Sequence, residues 1–180
     1  MTGYAVKHSI RAEDIRILRK KLKLTQKDFA KLVNVSQKTI ERWESKNRDI
    51  TGPVTTLVHI LNEYPQIEEN LRVPEKEYPI RLWYMFKREI CTIIDVDERS
   101  RKVKIYNYTN NFIKKAFGRN ENPTFEEYEE FLESRCFPRQ RDKIKLVLED
   151  LNLPFYDPFM IIEKTEGRMA EDDFWIRIER

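Results

Sequence analysis

Residues 15–48 read IRILRKKLKLTQKDFAKLVNVSQKTIERWESKNR, and the fold of the first third of the chain turns on them. Ile15, Leu18 and Leu22 recur at helical spacing, and Phe29, Leu32 and Val33 form the next apolar stripe. Two polar residues punctuate the run. Thr25 offers its side chain as a cap to a helix beginning at Gln26, and Ser36 does the same for one beginning at Gln37. Between them LVNVS is too short for anything but a tight turn, and Asn34 is a residue that tolerates left-handed backbone. Ala30 is small where the two helices must cross, and Phe29, Val35 and Ile40 supply the apolar contact.

Further along, PVTTLVHIL opens with Pro53 at a first helical position and predicts another core helix, with His59 partly buried on its stripe beside Leu57, Ile60 and Leu61. Prolines 65, 74 and 79 bracket a charged run that reads as an irregular connection over 67–78. After it the character changes. LWYMF, ICTIIDV and KVKIYNY are β-branched and aromatic runs separated by KRE and DERSR, which predicts a three-stranded meander. Helices resume at TFEE, where Thr124 and Glu127 form a capping box. A helix over 139–150 with Ile144, Leu146, Val147 and Leu148 on its apolar side, and a short one after Pro158, complete the expectation.

The segment from about 11 to 64 resembles the Cro/repressor-type (XRE, HipB-like) helix-turn-helix family. The resemblance implies that the helix starting at Gln37 enters the DNA major groove. On it, Ser36, Gln37, Lys38, Thr39 and Arg42 occupy the positions that face DNA, with Gln37 suited to adenine and Lys38 or Arg42 to guanine or phosphate. Gln26 matches the glutamine that contacts a phosphate, and Arg19 with Glu44 matches an ion pair of the fold. The resemblance also implies a homodimer on a palindromic site.

Charge agrees with that division. The chain carries a net +3, but residues 1–64 hold 13 Lys and Arg against 7 Asp and Glu, while the remainder is mildly acidic. A polyanion partner is expected for the first part only. The N-terminal MTGYAVKHSIRAED lacks the apolar core of a signal peptide, no run reaches membrane-spanning length, and Cys91 and Cys136 fit no metal spacing. A cytoplasmic protein with reduced thiols, no membrane association and no cofactor is expected.

The second part shows no catalytic constellation: its glycines, Gly118 and Gly167, are isolated, and FEEYEEFLE reads as a solvated helix face. It is expected not to be an enzyme. ESRCFPRQRDKIKLVLEDLNL and GRMAEDDFWIRI resemble the non-catalytic N-terminal subdomain of HipA-type toxin kinases, at Arg135, Pro138, Arg141, Gly167, Asp173, Trp175 and Ile176. The chain stops at Arg180, ahead of any kinase core, so the resemblance implies a detached subdomain that restrains a separate kinase. Trp83, Tyr84, Phe86, Phe174 and Trp175 are expected mostly in the core.

Together these readings give two domains: an all-α helix-turn-helix bundle (1–66), a linker (67–78) and an α+β domain with a small antiparallel sheet (79–180). The function implied is a DNA-binding repressor serving as antitoxin of a HipA-type kinase. The alternative is a phage-type or mobile-element regulator whose C-terminal domain senses a ligand or dimerises.

Overall fold

A computed structural model describes residues 4–46 and 48–180. The chain divides into two compact units, the first running to Val73 and the second from Pro74.

In the first unit, helix α1 (Ala12–Lys21) has Glu13 and Asp14 in its first turn and Arg19, Lys20 and Lys21 in its last, the arrangement the helix dipole favours. Helices α2 (Gln26–Leu32) and α3 (Gln37–Ser45) are the capped pair expected from the sequence. Asn34, between them, is left-handed at φ 54°. Pro53 opens α4 (Pro53–Glu63). Ile15, Leu18, Phe29, Ile40 and Leu61 are fully buried and join these helices in one core. Each such side chain contributes about 1.5–3 kcal/mol by leaving water. A two-residue bridge that the sequence did not announce ties the segment before α1 to the α3–α4 connection: β1 (Ser9–Ile10) pairs antiparallel with β2 (Ile50–Thr51).

Two expectations fail in this region. His59 is exposed, because the buried positions of α4 are Thr55, Val58 and Leu61, and His59 follows Val58 onto the opposite side. The stretch read as a linker begins with helix α5 (Gln66–Leu71), which buries Glu68 and packs Ile67 on the first core. Arg72 holds that helix with a bidentate grip on the Glu68 carboxylate, at 2.9 and 3.1 Å from Nη2.

The second unit is a sheet of β3 (Ile80–Phe86), β4 (Glu89–Asp97), β5 (Lys102–Asn107) and β6 (Phe174–Glu179), in the antiparallel order β5-β4-β3-β6. The first three strands are the expected meander, and β6 adds itself to the far side of β3. Alternate residues (Leu82 and Tyr84, Ile94 and Val96, Ile176) point to one face and bury against helices α6 (Phe125–Ser134) and α8 (Pro158–Thr165). Tyr84 stacks on Phe174 at 4.9 Å and meets Phe131 edge-on at 5.2 Å. Tyr84, Phe86 and Phe174 are therefore core residues as expected, but Trp83 and Trp175 take the other face.

On that other face the residues before β3 are pinned down. Arg81 and Asp95, paired across β3 and β4 and both buried, bond at 2.6 and 2.7 Å. Arg81 also donates to the Pro74 and Glu75 carbonyls, and Asp95 accepts from the Glu77 amide. Every charge buried there is thus compensated, the condition under which such a pair is tolerated.

Helix α7 (Ile144–Asp150) is shorter than the 139–150 expected. Lys143 adopts φ 58°, a left-handed conformation incompatible with a helix running through it. Leu146 is exposed, and of the four apolar residues named for this helix only Leu148 packs on the core.

Candidate nucleic-acid interface

The start of α3 is prepared by its own sequence. The Ser36 Oγ accepts from the Thr39 amide at 3.2 Å and shares a hydrogen bond with the Thr39 hydroxyl at 2.9 Å. Thr25 likewise caps α2 by accepting from the Asp28 amide at 3.1 Å. The turn is closed by the Val35 amide donating to the Ala30 carbonyl, directly beneath the buried Ala30. Both helix starts are fixed by bonds within one turn of chain.

Behind α3 a polar cluster locks it to its neighbours. Glu44 is buried, and its carboxylate accepts from Arg19 Nε and Nη2 at 2.7 and 3.0 Å. Gln26 Nε2 donates to the same carboxylate at 2.7 Å, and Arg16 donates to the Glu44 carbonyl. Arg19 reaches the Leu24 carbonyl as well. One carboxylate on α3 therefore gathers α1 and α2. Burial works to raise the Glu44 pKa, but the bonds from Arg19 and Gln26 and the nearby positive charges outweigh it and hold the carboxyl below its ordinary range. The Arg19 guanidinium is raised, chiefly by its hydrogen bond to Glu44.

The outward side of α3 carries Gln37, Lys38, Glu41, Arg42 and Ser45, all exposed. Its first turn holds no acidic residue, so the positive end of the helix dipole is uncompensated there. Ser36, Lys38, Thr39 and Arg42 line one shallow concavity together with Glu41 and Lys46. Four of the six residues picked from the sequence are thus brought together. Gln37 stands beside them, with its amide donating to Glu41 at 2.9 Å. Gln26 is the exception, since it is half-buried against Glu44 on the preceding helix and does not line the concavity.

Sequence reading missed Glu41 and Lys46. The signal for Glu41 was there, because Gln37 and Glu41 are four apart on one helix and such pairs touch. The consequence is chemical: one Gln37 N–H is held by Glu41, which orients the amide, while the second N–H and the carbonyl oxygen are left to face an adenine edge. Glu41 itself can accept from a cytosine amino group. The surface therefore combines two cations, an amide and a carboxylate on one helix face, which suits base edges in a groove flanked by phosphates.

In the second unit two residues of the kinase-subdomain motif, Gly167 and Ile176, meet Arg135, whereas Asp173 and Trp175 do not. Arg135 Nε and Nη2 donate to the Gly167 carbonyl at 3.1 and 2.8 Å, and Nη2 donates to the Phe174 carbonyl at 3.1 Å. Its ionic partner is Asp172, at 2.6 Å from Nη1, while the neighbouring Asp173 pairs with Lys87. Gly167 sits at φ 59°, with a Cβ there 3.4 Å from both Arg135 Cβ and Ile176 Cδ1. The motif thus has a packing explanation, in which Arg135 binds the Gly167 turn to the start of β6. Cys91 and Cys136 are both free and buried. Among the described residues no cluster could hold a metal ion, and no helix is long and apolar enough to cross a membrane.

Residues 15–54 match the family model described as helix-turn-helix, which spans α1 to the start of α4. The match supports a DNA-binding transcription regulator. A comparison with curated proteins finds no match for the chain.

Proposed function

We propose that the protein is a transcriptional repressor that reads DNA with α3 and restrains a HipA-type kinase through its second unit, as the antitoxin of that kinase. The observation that carries the DNA-binding part is the face of α3. Its Ser36-capped start, cationic Lys38 and Arg42 and exposed Gln37 are held by the buried Glu44 cluster on the opposite side. The backbone amides at the capped start and the two cations engage phosphates, and Gln37 with Glu41 discriminates bases. Two copies on a palindromic site, with half-sites about one helical turn apart, would place two such helices in successive major grooves.

The kinase-restraining part rests on the resemblance of residues 135–176 to the detached subdomain. Such a subdomain acts by binding, and the DNA-reading unit would let the same chain silence its own operon.

The test has two arms. Selection of DNA from a random pool, followed by a salt titration, should yield a preferred sequence whose affinity falls as salt rises, with a slope set by the phosphates contacted. Lys38→Ala should reduce that slope by about one while leaving the preferred sequence unchanged. In the second arm, the tagged chain is mixed with the product of the neighbouring gene and autophosphorylation of that product is followed. Stable binding with suppressed phosphorylation supports the antitoxin reading. Sequence-specific DNA binding without kinase capture removes it and leaves the repressor.

A further inference from the structure

The loop after α6, the last turn of α8 and the loop at 168–171 enclose a cavity of about 380 Å³ in the second unit. Nothing in the DNA-reading role uses it. Its back wall is the Arg135 cluster, in which the guanidinium donates to two carbonyls and to Asp172. That wall is rigid and electrically balanced. Gly167, whose carbonyl accepts from Arg135, is left-handed at φ 59°, a conformation that favours glycine.

The floor is apolar, formed by Phe137, Pro138 and Ile161. Cys136 belongs to it, with burial pushing the thiol up to about 12, so it acts as a small apolar group and not as a nucleophile. The mouth is different. Arg141 lines it, with its guanidinium 6.0 Å from the Phe137 ring centre and no side-chain ion pair or hydrogen bond among the described residues. Arg168 also lines it, pairs with Glu166 at 2.7 Å and lies 4.9 Å over the Trp175 ring. Arg168 and Glu166 are 56% and 52% exposed, and a pair so wet contributes under about 1 kcal/mol, so Arg168 is readily recruited elsewhere. Glu171 is the acid on the lining. An apolar floor under two available guanidinium groups, in a volume typical of small-molecule sites, defines the ligand by its chemistry.

We infer that this cavity binds a small organic oxyanion, its carboxylate or phosphate held by Arg141 and Arg168 and its apolar body resting on Phe137, Pro138 and Ile161. The inference is independent of the DNA-binding reading, since every residue it uses lies in the second unit.

The test uses the full chain, ¹⁵N-labelled, titrated with phenyl phosphate, with phenylacetate and with neutral benzyl alcohol at constant ionic strength. The Trp175 indole N–H is the reporter, because it donates to the Lys87 carbonyl at 2.8 Å while its ring lies beneath Arg168. Saturable movement of that signal with one or both anions, and a Kd at least tenfold weaker for the alcohol, is expected. The stronger anion identifies which oxyanion the site prefers. Arg141→Met with Arg168→Met, both at exposed positions, should weaken the anion at least tenfold without changing the rest of the spectrum, and Arg141→Met alone should do part of it. No saturable shift with either anion, equal binding of the alcohol, or unchanged affinity in the double variant would each overturn the inference.

Discussion

Replacing Glu44 by alanine tests whether one carboxylate holds helix α3 in place. Removing one member of a buried ion pair costs about 3–5 kcal/mol, because the partner is left charged and dry. Here the Glu44 side chain is 8% exposed and Arg19 17%, so Arg19 recovers part of its hydration. The Gln26 amide loses its acceptor too, which adds back some of the loss. The bond from Arg16 survives, since it goes to the Glu44 carbonyl. A net destabilisation of about 2–4 kcal/mol follows. Native-state hydrogen exchange at the buried Leu18, Phe29 and Ile40 isolates the first unit from the second. At about 1.4 kcal/mol per tenfold, their protection should fall roughly 30- to 700-fold.

Two companion measurements bound the reasoning. Glu44→Leu combined with Arg19→Met removes both charges and should recover much of the loss. The pH dependence carries a definite sign. The folded Glu44 pKa is depressed, so its stabilisation is complete above the ordinary glutamate value and is lost as pH falls through the depressed one. Glu44→Gln should flatten that acid-side decline. A protection loss under fivefold for Glu44→Ala, or an unchanged acid slope for Glu44→Gln, would refute the assignment of this cluster as the clamp on α3.

Other perturbations separate recognition from folding. Gln37→Ala should relax base preference and cost about 1–3 kcal/mol at the preferred site, read by competition against single-base variants; an unchanged preference moves recognition elsewhere on α3. Gly167→Ala should destabilise the second unit by about 1–3 kcal/mol, seen in thermal unfolding, because its backbone is left-handed at φ 59° and alanine is strained there. Tyr128→Phe removes a buried hydroxyl that has no hydrogen-bond partner among the described residues, so denaturant unfolding should show stability unchanged or raised by up to about 1 kcal/mol.

What was legible in the sequence was whatever a few consecutive residues decide. Thr25, Ser36 and Thr124 cap their own helices, Asn34 turns left-handed beside its neighbours, and Pro53 starts a helix by its fixed φ. The meander was readable for the same reason, since short loops join strands that pair. The corrections arose where distant partners decide. Helix α5 follows from Ile67 finding a core made by other helices, and the shortening of α7 follows from one left-handed residue at Lys143 that no propensity forbids outright. The side chains that line the outward concavity of α3, Ser36, Lys38, Thr39 and Arg42, were picked from the resemblance to helix-turn-helix proteins. The engagement of Gln26 with Glu44 could not be, because it depends on how α2 and α3 cross.

The place of β6 in the sheet sets an order on the birth of the second unit. Strand β3 pairs with β4 within a few residues of being made, but its other edge waits for β6, and the Trp83–Glu179 contact spans 96 residues. Until then a strand carrying Leu82, Tyr84 and Phe86 has one open side. Contacts so far apart in sequence form slowly, and an unpaired apolar edge recruits other strands in the meantime. The first unit closes over shorter spans, its widest strand pairing joining Ser9 to Thr51. A newly made chain therefore completes the helices of its first unit before its sheet, and the open edge of β3 is the feature that exposes the second unit to aggregation during synthesis.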